Sequence, residues 1–65
     1  MTQAEVLQIG SRLYKHLGSP GGRAAIYPKF ENGTWHLLVK AERSLELDAE
    51  PDAFEGVDVR YERYG

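Results

Sequence analysis

The chain has 65 residues, 42% of them apolar and 28% charged, with no cysteine and a formal net charge of −2. The absence of cysteine excludes a disulfide framework and a thiolate metal site, and His16 and His36 alone are too few for a histidine-only zinc site. Stability must come from one compact apolar core in a single small domain, residues 1–65, where folding buries only about 60% of the unfolded surface.

No stretch is long and apolar enough for a transmembrane helix. Met1-Thr2-Gln3-Ala4-Glu5 has no basic run and no apolar core of a signal peptide, so a cytoplasmic location is expected. Charge is segregated along the chain. Residues 1–43 carry six basic and three acidic side chains, whereas 44–58 carry six acids (Glu46, Asp48, Glu50, Asp52, Glu55, Asp58) and no base. Such a run is most simply a solvated acidic loop.

Thr2 to Glu5 has the spacing of a capping box, with Thr2 as N-cap and Glu5 three residues on. Val6, Ile9, Leu13 and Leu17 follow at helical intervals and form one apolar stripe. Lys15 and His16 fall in the last turn, where positive charge suits the helix dipole; Gly18 provides a stop and Pro20 blocks continuation. Gly10 inside this helix invites close approach of another element.

Asn32-Gly33 is a strong hairpin signal, because both central residues of a type I′ turn need positive φ. A turn there pairs Phe30 with Trp35, Pro28 with Leu37, Ile26 with Val39 and Ala24 with Ala41, all apolar and on one face. The other face receives Lys29 with His36, Tyr27 with Leu38 and Ala25 with Lys40. A slip of one residue would undo this sorting. Pro28 lacks an N–H on the outward side of its strand, which makes 24–31 an edge strand.

Val57 to Glu62 alternates and reads as a further strand pairing with 35–42, with Val57, Val59 and Tyr61 inward. Leu45-Glu46-Leu47-Asp48 either extends the second strand or forms a short one of its own. Pro51 to Gly56 reads as one helical turn, with Phe54 tucked under the sheet edge. The expected core is Val6, Ile9, Leu13, Leu17, Ile26, Phe30, Trp35, Leu37, Val39, Val59 and Tyr61.

The expected fold is therefore α+β: one N-terminal helix packed on a three- to four-stranded antiparallel sheet, in the order helix-strand-strand-strand. That order is similar to the first part of double-stranded-RNA-binding domains. The terminal helix and basic motif of that family have no counterpart in this sequence, so its function does not carry over.

One helix covers one sheet face. Tyr27, Lys29, His36, Leu38, Lys40 and Arg60 are left on the other, with Tyr64 beside them, and they are the candidate partner-binding residues. Aromatic and apolar centres with a mixed-charge rim suit a protein contact, including contact between two copies in a dimer. Aromatics interleaved with Lys29, Lys40 and Arg60 also suit single-stranded nucleic acid, but Glu42, Asp58 and Glu62 share the face.

Catalytic arrangements are not visible in the residue pattern. Gly10-Ser11-Arg12 lies inside a capped helix with no paired strand carboxylates after it. The Gly18 to Arg23 loop follows a helix, whereas phosphate loops precede one. The acids at 46, 48, 50 and 52 lack the central glycine and distal glutamate of a calcium loop. Ser11, Ser19 and Ser44 have no partner base at a recognisable spacing. The expectation is a non-enzymatic module with no catalytic residue, no metal and no cofactor. Its partner is expected to be a protein or a second copy, the alternative being weak binding of single-stranded nucleic acid.

Overall fold

Thr2 adopts extended backbone and its hydroxyl accepts a hydrogen bond from the Glu5 N–H, while the Thr2 N–H donates to the Glu5 carboxylate at 2.9 Å. This reciprocal cap starts α1 (Gln3–His16) in the computed structural model, which describes residues 1–65. The bond from the Thr2 backbone holds the Glu5 carboxyl below its ordinary pKa. The helix ends at Leu17, and Gly18 and Ser19 turn the chain with φ of 101° and 50°.

After a short 3-10 turn, Gly21–Arg23, come strands β1 (Ala24–Glu31) and β2 (Thr34–Glu42). Asn32 and Gly33 between them have φ of 52° and 78°, as the type I′ turn requires. The hairpin register is the expected one throughout, from Ala24 opposite Ala41 to Phe30 opposite Trp35. Two further strands, β3 (Ala53–Phe54) and β4 (Val57–Tyr64), complete a sheet ordered β1-β2-β4-β3. β1 is therefore an edge strand, and Pro28 costs the sheet no ladder bond.

The fold is α+β with the helix first, and its sheet is mixed, not wholly antiparallel. β4 pairs with β2 as expected but runs parallel to it, with Leu37 opposite Val59 and Val39 opposite Tyr61. The physical reason lies in the connection. Starting from Glu42, the chain must regain the level of His36, a distance of roughly 20 Å at strand rise. Residues 43–52 stay out of the sheet and span that gap with length to spare. Leu45-Glu46-Leu47-Asp48 is thus part of a crossover and not a strand.

The helical turn expected at 51–56 is also replaced. Ala53 and Phe54 pair antiparallel with Asp58 and Val57, and Glu55-Gly56 forms a second two-residue turn with φ of 50° and 82°. Phe54 does anchor the sheet margin, packing on the core and lying 5.2 Å from the His16 ring.

The core comprises Val6, Ile9, Leu13 and Leu17 from the helix, with Ala24, Leu37, Val39, Ala41, Val57 and Val59 from the sheet. Ile26, Trp35 and Tyr61 pack at its edge. Phe30 does not belong to it and is 59% exposed. Its register is right, yet the Phe30–Trp35 pair sits at the hairpin tip beside exposed Met1, where the helix has barely begun. The two rings pack on each other with centroids 5.0 Å apart.

Candidate functional site

The helix and the 43–52 crossover lie on the same side of the sheet. Leu45 and Leu47 pack on the core, and the Asp48 N–H donates to the Leu17 carbonyl at the helix end, 3.1 Å away. From β4, Arg63 donates to the carbonyls of Glu42 and Leu45 at 2.9 and 2.7 Å and pairs with Glu50 at 3.2 Å. The Tyr61 hydroxyl donates to the Pro51 carbonyl at 2.8 Å. Burial pushes the Tyr61 phenol up to about 12, and the charges of Glu50 and Asp52 add to the rise. Every anchor of the crossover is thus on the core side, and the opposite sheet face stays uncovered.

The pairing registers sort that face into rows. Lys29, His36 and Asp58 form one, Tyr27, Leu38 and Arg60 the next, and Ala25, Lys40 and Glu62 the third. All six expected contact residues therefore fall within three consecutive rows on β1, β2 and β4. Tyr27, Lys29 and Arg60 are exposed, and Leu38 and Lys40 are half-buried between them. Lys40 Nζ lies 5.8 Å from the centre of the Tyr27 ring, a cation–π geometry.

His36 departs from expectation. It is only 5% exposed, so its ring offers no free stacking surface. β2 is interior to the sheet, and Lys29 and Asp58 flank His36 on either side. Its Nε2 lies 3.5 Å from Glu31 Oε1. The face's remaining charges differ: Lys29, Lys40, Asp58, Arg60 and Glu62 make no ion pair within the chain. Across the margin of the face, Arg23 pairs with Glu42 at 3.2 Å and Tyr64 donates to the Arg23 carbonyl.

On the core side, a shallow groove of about 260 Å³ runs between α1 and β1, lined by Leu7, Gly10, Tyr14, Ile26 and Pro28 among others. Gly10 was its sole trace in the sequence. Two arginines also escaped the residue pattern. Arg63 clasps the crossover, and Arg12 makes a bidentate pair with Glu55 at 2.7 Å for each bond. That hydrogen bonding raises the Arg12 pKa and lowers that of Glu55. The acids Glu46, Asp48, Glu50 and Asp52 are exposed along the crossover, away from His36 on the other face. Compared with protein-family models, with curated proteins and with solved structures, this chain has no match to any of them.

Proposed function

We propose that this chain is a non-enzymatic protein-interaction module whose contact surface is the open sheet face. One observation carries the reading: Tyr27 and Leu38 stand side by side on a face that no other element covers, ringed by unpaired charges of both signs. An apolar centre with a polar rim is how protein contacts are built. Asp58, Glu62 and Glu31 on the same face would repel a nucleic-acid backbone and weigh against the alternative.

A photo-crosslinking residue introduced at Ala25, within the face, tests the reading against one introduced at Gln8 on the exposed side of the helix. Protein crosslinks from position 25, absent from position 8 and lost with Tyr27→Glu plus Leu38→Lys, support it. Crosslinks that ignore the face variant overturn it. So does steeply salt-dependent binding of a single-stranded oligonucleotide that disappears when Lys29, Lys40 and Arg60 are replaced, which would install the nucleic-acid reading instead.

A further inference from the structure

Resting on that reading, we infer that the partner is a second copy of this chain, docked face to face about a two-fold axis running along β2. The charge layout selects this axis. β2 lies between β1 and β4, so rotation about its own direction exchanges the two flanking strands while keeping each row at its level. In the first row, Lys29 then faces the partner's Asp58, and by symmetry Asp58 faces the partner's Lys29. In the second, Tyr27 meets the partner's Arg60, an aromatic and guanidinium pair, while Leu38 meets the partner's Leu38 on the axis. None of Lys29, Asp58 and Arg60 has an ion-pair partner inside the chain, so none must be given up.

In the third row Lys40 meets the partner's Lys40 on the axis, a single like-charge contact with Glu62 beside it in each copy. A two-fold axis across the strands is worse, because it makes like-charge contacts twice over. It would exchange the first and third rows and set Asp58 against the partner's Glu62. Either axis leaves the strands of the two sheets nearly aligned, the common way for sheets to stack, so the charges decide between them. Three strands with these row lengths offer a face of roughly 15 by 25 Å, or about 400 Å² per copy. That is about half of a standard interface, which places this contact among the weak, transient ones.

The test is sedimentation of the full chain from about 10 µM to about 1 mM, the range in which a weak contact becomes populated. The parent should gain mass with concentration. Lys29→Asp and Asp58→Lys should each weaken association at least about tenfold, because each places like charges together twice per dimer. The double variant should regain it. An equal mixture of the two single variants should also associate, since every contact between positions 29 and 58 in that heterodimer is opposite in sign. Circular dichroism of the single variants separates lost association from lost fold. A parent that stays monomeric overturns the second copy as partner and leaves the module reading to its crosslinking test. A dimer that the single variants do not weaken, or that neither the double variant nor the mixture restores, overturns the axis while sparing the face.

Discussion

A methyl group added at Gly10 would lie 3.4 Å from Leu37 Cδ2 and 3.6 Å from Ile26 Cγ2, which are ordinary contact distances. The same addition at Gly18 would come within 2.6 Å of the Asp48 carboxylate, at a residue whose φ is 101°. The two substitutions should therefore have opposite signs. Gly10→Ala gains helix propensity without a clash and should stabilise by about 0.5–1 kcal/mol. Gly18→Ala should destabilise by about 1 kcal/mol or more, since its φ of 101° strains any L side chain and the Asp48 carboxylate must swing aside. Urea denaturation of both variants checks the contrast. Tyr61 supplies a pH dependence. Its phenol is raised from 10.0 to about 12 in the folded chain, so the native state holds the proton more tightly than the unfolded one. The stability that follows is complete below pH 10 and is lost as pH rises through about 12. Tyr61→Phe should flatten the alkaline limb of a denaturation series, even though it loses the bond to Pro51.

Two turns of like geometry show what a local pattern reveals and what it hides. Asn32-Gly33 announces itself, because asparagine and glycine both accept left-handed backbone, and the register on either side follows from the sorting of apolar pairs. Gly33→Val should cost more than about 1 kcal/mol, since a β-branched residue resists positive φ, and calorimetry would detect the lowered midpoint. Glu55-Gly56 has nearly the same φ values but no such signature. Glutamate in a left-handed conformation is unfavourable by itself. Here the bidentate pair with Arg12, 43 positions earlier, holds its carboxylate. A partner at that separation is invisible to any window that reads neighbouring residues, which is why 51–56 reads as helix when it forms β3 and a turn. The capped α1 lies at the other extreme: its N-cap, its stripe and its terminating glycine are all within the segment they define.

Across the whole molecule, the same division separates what was readable from what was not. The existence of β1, β2 and β4, the edge position of β1 and the uncovered face follow from alternation, from Pro28 and from having one helix to cover two faces. The direction of β4 does not, because a strand's side-chain alternation is the same whichever way it runs, and only the path of residues 43–52 decides it. Phe30 and His36 fail for a related reason. Register places each on the correct face, but burial depends on position within the sheet: Phe30 stands at an uncovered tip and His36 on an interior strand. The candidate contact residues survive as a cluster because clustering needs register alone. His36's availability needed more than its place between two strands, which the sequence did indicate: Lys29 and Asp58 flank it and Glu31 lies 3.5 Å from its Nε2, and how far side chains cover a ring is not written in strand order.

The parallel pairing of β2 with β4 also sets an order of events in time. Contacts in the β1–β2 hairpin span from 3 positions, Glu31 with Thr34, to 17, Ala24 with Ala41. Every β2–β4 pair instead joins residues 22 positions apart, from His36 with Asp58 to Glu42 with Tyr64. The hairpin can zip outward from its turn, each pair cheapening the next. The parallel ladder has no such short first step, so its whole loop-closure entropy is spent before any pair forms. β4 should dock late in folding and detach early in unfolding. In stopped-flow kinetics Val59→Ala should leave the refolding rate nearly unchanged and quicken unfolding, whereas Val39→Ala should slow refolding. Comparable slowing of refolding by both would place the parallel ladder in the folding nucleus and reverse this order.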